Sequence, residues 1–229
     1  RSIWVTGVQT CALPISKFVL RSKVTLADES DRWGVHGVID REGGRVNWPR
    51  EPNAQLAIGE ARIVCLGAEP TRWLQVGPGG ALASPADPRA ALDWQLLEIA
   101  AGEPQVYAAT SEVFVSQMLN LDLLGAIAFD KGCYTGQEII ARAHFRGRMK
   151  RRMQRFRTTQ ATGLRPGDRG RLADGRGFQV VRSATTAEIT DFLAVTVPPG
   201  GSAQAGADEA GSAAVIRAEQ LPLPYELPA

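Results

Sequence analysis

Residues 131–138 read Lys-Gly-Cys-Tyr-Thr-Gly-Gln-Glu, and a helical pattern, Gly136-Gln-Glu-Ile-Ile-Ala-Arg-Ala143, grows out of their end. The first turn of such a helix leaves backbone N–H groups without partners, and its dipole adds partial positive charge. A thiol placed just before it, as Cys133 is, loses its proton more easily than a free cysteine, and the ammonium of Lys131 adds to the effect. Gly132 and Gly136 allow a sharp turn or a close approach to a ligand. The stretch therefore suits an anion, a reactive sulfur, or both. A tight loop around a buried, inert thiol has the same spacing, and spacing alone leaves both readings open.

The flanks carry further pattern. Upstream stand Trp94-Gln-Leu-Leu-Glu-Ile-Ala-Ala-Gly-Glu-Pro104 and Gln117-Met-Leu-Asn-Leu-Asp122. Downstream stand Ala141-Arg-Ala-His-Phe-Arg-Gly147 and Lys150-Arg-Arg152. With the octet, these stretches resemble the YgfZ family, folate-binding proteins related in fold to the glycine-cleavage T-protein. The resemblance is strong over 92–152 and looser over the rest of 17–229. It implies an α+β, T-protein-like folate-binding fold, incomplete at the N-terminus and followed by a small antiparallel β-barrel. It also implies tetrahydrofolate as cofactor, contacted by Trp94 and by the octet and its helix: Gly132, Tyr134, Gly136, Gln137, Glu138 and Arg142. Cys133, with Lys131, is the expected reactive group.

The chain begins with Arg1, and its only methionines are Met118, Met149 and Met153. Residues 1–16, RSIWVTGVQTCALPIS, carry no charge after Arg1 and have no clear period. They make a poor secretory signal and look like translated sequencing adapter. We expect them, with Cys11, to be foreign to the fold. The resembled family has a further segment before the Phe18–Thr25 stretch, and that segment supplies part of the central pocket. The expected division is thus a leader at 1–16, a folate-binding region at 17–148 and a barrel at 149–229.

Composition sets outer bounds. The 229 residues suffice for one or two domains, and 44% hydrophobic with 22% charged residues is ordinary for a globular protein. No run of about 18 apolar residues suggests a membrane span. Three Cys without a Cys-x-x-Cys pair, and two His, His36 and His144, argue against a disulfide framework and against a protein-made metal or cluster site. A reducing, cytoplasmic setting fits. Net charge is only +2, yet Arg142, Arg146, Arg148, Lys150, Arg151, Arg152, Arg155 and Arg157 form a run free of acids. It reads as a solvated strand and loop, as a seat for RNA phosphates, or as a seat for a polyglutamate tail. Aromatic residues in the run are few, Phe145 and Phe156, which argues against base stacking.

Alternation predicts strands over 18–26, 33–39, 61–66 and 72–76, a turn at Glu42-Gly43-Gly44, and loop over 47–60. Cys65 is expected to be buried and structural. Asp87, Pro88 and Gly102 bracket a helix. It has one apolar face of Leu92, Leu96 and Ile99 and another of Ala90, Trp94, Leu97 and Ala101, so it is expected to lie between two layers. From pattern alone Trp94 is a second-face core residue; the resemblance makes it a pocket wall. A short helical piece is expected near 111–119. Strands are expected at 178–183, 187–196 and 213–217, with a Pro/Gly/Ala/Ser loop over 198–212.

Three functions are expected, the first two implied by the resemblance and the third by the basic run. The first is a folate-dependent accessory protein for iron–sulfur cluster assembly or repair, and through it for cluster-containing tRNA-modifying enzymes. The second is a tetrahydrofolate-dependent aminomethyl or methyl transferase, which needs a carboxylate for the amine proton. The third, ranked last, is direct tRNA binding through the basic run.

Overall fold

The computed structural model describes residues 27–39, 48–68, 71–79, 88–130, 136–145, 149–200 and 215–228. The leader, the strand expected over 18–26, the turn at 42–44, the Asp87 cap and most of the 198–212 loop lie outside them. The chain divides into two compact units, 1–86 and 87–229, whereas the sequence reading drew its division at 148/149. Both units are sheet-based and helices are few, so the class is mixed α and β.

The first unit is a four-stranded antiparallel sheet. Its strands are β1 (Trp33–Ile39), β2 (Gln55–Ile58), β3 (Ala61–Ala68) and β4 (Thr71–Pro78), in the order β1-β4-β3-β2. Strand β2 corrects the sequence reading, which took 47–60 as loop because of Pro49 and Pro52. Residues 55–58 hold no proline, and Gly59, at φ +57, closes a two-residue turn that pairs Ile58 with Ala61. Ile63 and Cys65, two apart on one strand, share a face and meet Trp73, with Val38, Trp48 and Leu56 packed around them. Cys65 is fully buried as expected, and its Sγ donates to the Gly67 carbonyl at 3.6 Å. The Trp73 indole donates to the Pro49 carbonyl at 2.6 Å and takes Trp48 edge-on at 5.5 Å.

The second unit opens with helix α1 (Pro88–Ala100), two 3-10 turns (Ala108–Thr110 and Ser116–Leu119) and helix α2 (Gln137–Phe145). A six-stranded sheet follows: β5 (Arg152–Thr158), β6 (Arg169–Leu172), β7 (Gly177–Thr185), β8 (Thr190–Thr196), β9 (Val215–Ile216) and β10 (Glu219–Leu221). The order is β10-β5-β8-β7-β6-β9. All pairs are antiparallel except β6 with β9, which is parallel. This departs from the all-antiparallel barrel expected, and no pair among the described residues joins β9 to β10. A parallel neighbour cannot come from a hairpin; the long connection over 197–214 lets the chain return in the direction of β6.

Strand β8 lies between β5 and β7 and buries every residue, as a strand covered on both faces must. On one face Phe192 stacks on Phe156, with ring centroids 5.4 Å apart, and lies tilted against Phe178 at 5.6 Å, beside Leu172, Val180 and Ala194. On the other, Met153, Val181, Ala184, Leu193 and Val195 meet Ile99 of α1 and Leu119. A bulge between Val180 and Arg182 breaks the alternation of β7. Val180 joins the aromatic face, while Val181 and Arg182 turn toward α1. There the Arg182 guanidinium donates to the Glu98 carboxylate, both side chains being buried. Such a pair adds little net stability but fixes how helix and sheet register.

Candidate functional site

The signature octet enters the described structure at Gly136, whose φ of +86 suits glycine and strains other residues. Lys131, Gly132, Cys133 and Tyr134 lie outside the described residues, as do Arg146 and Arg148 of the basic run. Helix α2 then begins at Gln137, as the sequence pattern predicts. Its charges agree with its dipole, with Glu138 in the first turn and Arg142 and His144 in the last. Gln137 is half-buried; Glu138 and Arg142 are exposed. One turn apart, they line an open hollow together with Ala141 and Phe145.

No residue of α2 is buried. Ile139 is 64% exposed and Phe145 72% exposed. At the C-terminal end, the His144 ring stacks on Phe129 at 4.0 Å, and Phe145 stands edge-on to His144 at 4.7 Å. The helix is tied to its unit through the Gln117 side chain, whose Nε2 donates to the Ile140 carbonyl at 2.7 Å.

Gln117 belongs to a turn held by polar groups that the sequence reading used for resemblance and never read as chemistry. Asn120 ends the 3-10 turn in the left-handed region at φ 58, and its backbone N–H donates to the carbonyls of Ser116 and Gln117. Asparagine is among the few residues suited to that conformation. Its Nδ2 donates to the Met153 carbonyl at 2.8 Å and to the Tyr225 hydroxyl at 3.3 Å. Tyr225 in turn donates to the Gly102 carbonyl at 2.8 Å. Arg152 grips Asp122 with two hydrogen bonds, 3.0 and 2.9 Å, and gives one more to the Gln117 carbonyl at 3.1 Å. Burial alone would push the Asp122 carboxyl up, but Arg152 and the N–H groups of Asp122 and Leu123 outweigh it and hold the carboxyl below its usual range. Burial pushes the Tyr225 hydroxyl up, against the pull of the Asn120 hydrogen bond. The signal was present in Gln117-Met-Leu-Asn-Leu-Asp122, where polar residues interrupt an apolar run.

Trp94 sits on α1, half-buried. Leu92 and Leu96 of that helix pack against the cluster around Ile99, which does not include Trp94. Of the second apolar face, Ala90 is exposed and Leu97 half-buried; only Ala101, just past the helix, is buried. That face is therefore less closed than packing between two layers would make it.

Four members of the basic run are held by structure, while Arg142 and Lys150 are exposed. Arg152 is paired as described. Arg155 and Arg157 both reach Asp191, which is 1% exposed, at 3.3 Å and at 2.5 and 2.7 Å. Arg151 donates to the Val195 carbonyl at 3.4 Å. Among the described residues, no group of three or more His, Cys, Asp and Glu side chains gathers as a metal site, and no helix is long and apolar enough to cross a membrane.

No family model matches the chain. The chain is 33% identical, over a 149-residue alignment that covers 60% of the chain, to the tRNA-modifying protein YgfZ of Cronobacter sakazakii. It spans 45% of that relative's length.

Proposed function

Since that similarity supports assigning the chain to the YgfZ family, we propose that the protein is a folate-binding accessory factor of T-protein-like fold, with the C-terminal sheet as its small barrel. It supports assembly or repair of iron–sulfur clusters, and through them tRNA-modifying cluster enzymes, in a reducing, cytoplasmic setting. The observation that carries this is the 33% identity to a tRNA-modifying protein over a stretch of 149 residues.

On this reading Trp94 offers an indole face to the pterin ring. Its half-buried place outside the core cluster fits such a role. Gly132, Tyr134, Gly136, Gln137, Glu138 and Arg142 border the ligand. Lys131 and the N-terminal end of α2 hold Cys133 as a thiolate. Tetrahydrofolate, when bound, supplies a one-carbon carrier. Pairing of Arg152, Arg155 and Arg157 with carboxylates weighs against direct tRNA binding through strand β5, which leaves the clusters and their enzymes as the partners.

Two measurements test the proposal. Titration with tetrahydrofolate should change the tryptophan fluorescence of the wild type and not that of Trp94→Phe; a response that persists unchanged in the variant removes Trp94 from the site. Cys133→Ala should lose support of cluster enzymes in cells while keeping folate affinity. Full support by that variant would take the thiol out of the mechanism.

A further inference from the structure

A helix held by packing buries an apolar stripe. Helix α2 buries no residue, and at nine residues it is too short to be stable in water alone. Among the described residues, Gln117, itself 1% exposed, sends its side chain to the helix backbone. A carbonyl can only accept, so the amide nitrogen of Gln117 must face Ile140, and the bond is 2.7 Å long. The other end, Oε1, is buried without a partner. Burying an acceptor unpaired costs free energy, so this glutamine is a poor choice for core stability. The turn that carries it is braced by the left-handed Asn120 and by the Arg152–Asp122 grip, with Arg152 also bonded to the Gln117 carbonyl.

We propose that Gln117 is a positioning residue: a rigidly mounted donor that fixes α2 to the sheet unit and so sets where the octet's helix stands. The Ile140 carbonyl has a second lone pair for its bond within the helix, so loss of Gln117 takes no bond from the helix's own ladder but leaves the helix to open more often. This goes beyond the folate reading and needs neither folate nor the thiol for its test.

The experiment is hydrogen exchange on the full chain carrying Gln117→Met, which keeps the volume and removes the donor and the orphaned acceptor. Amides of 137–145 should exchange about tenfold faster, while strands 152–158 and 190–196 keep their protection and the unfolding temperature does not fall. Gln117→Glu, which keeps the shape but has no donor at neutral pH, should release the same helix. In both variants the His144 C2–H resonance should lose the upfield shift given by the Phe129 ring stacked on it. Unchanged exchange over 137–145 in both variants overturns the proposal. So does loss of protection shared equally by helix and strands, which would make Gln117 an ordinary core residue.

Discussion

Strand β8 and helix α2 belong to the same compact unit and sit at opposite extremes of burial. Every residue of Thr190–Thr196 is buried, and no residue of Gln137–Phe145 is. The strand is fixed by packing on two faces, with Phe192 in one cluster and Leu193 in the other. The helix is fixed by a hydrogen bond to its backbone and by rings stacked at its end. Stability therefore resides in the sheet, and the helix that the signature runs into depends on a few tertiary ties. A segment held by few buried apolar contacts opens at low free-energy cost.

The contrast can be broken most forcefully at Phe192. Phe192→Ala removes a ring buried between Phe156 and Phe178 and should cost about 4 kcal/mol in denaturant unfolding. A loss near zero would mean that the sheet is not the stable part. Next is Asp191→Asn, which leaves Arg155 and Arg157 facing a neutral amide. A loss of about 3 kcal/mol is expected, read from the same transition.

Acid titration sharpens the comparison further. Asp122 has a lowered folded pKa, so its contribution is fully present above the unfolded value of about 3.9 and is lost as pH falls through the folded value. Asp122→Asn should be about 2 kcal/mol less stable at pH 7, and the gap should close on acidification. A gap that stays constant with pH would show that the carboxylate charge is not what matters. The smallest effect belongs to the helix. Ile139→Ser should shift unfolding by less than about 0.5 kcal/mol, whereas a core-sized loss would mean that α2 is packed after all.

The basic run marks where local reading left alternatives open. Eight cations without an intervening acid read as a solvated strand and loop or as a seat for a polyanion. The carboxylate partners of three of them lie far along the chain: Asp122 is 30 residues from Arg152, and Asp191 is 36 from Arg155 and 34 from Arg157. No window of sequence holds both members of such a pair. Strand β2 failed for a different reason, since two prolines nearby hid a short stretch that pairs across a tight turn. Trp94 illustrates a third case: periodicity placed it correctly on a second helix face, but periodicity does not say whether that face is covered.

Periodicity, turn residues and caps were enough for α1, α2, β1, β3, β4 and the strands β7 and β8, because each is a local preference repeated along a short segment. The buried Cys65 was legible in the same way. Tertiary structure alone decided the parallel return of β9, the bulge that turns Arg182 to Glu98, and the junction of Gln117, Asn120, Asp122, Arg152 and Tyr225. Each of these brings together groups separated by tens of residues, and their energy exists only once the intervening chain has closed the distance.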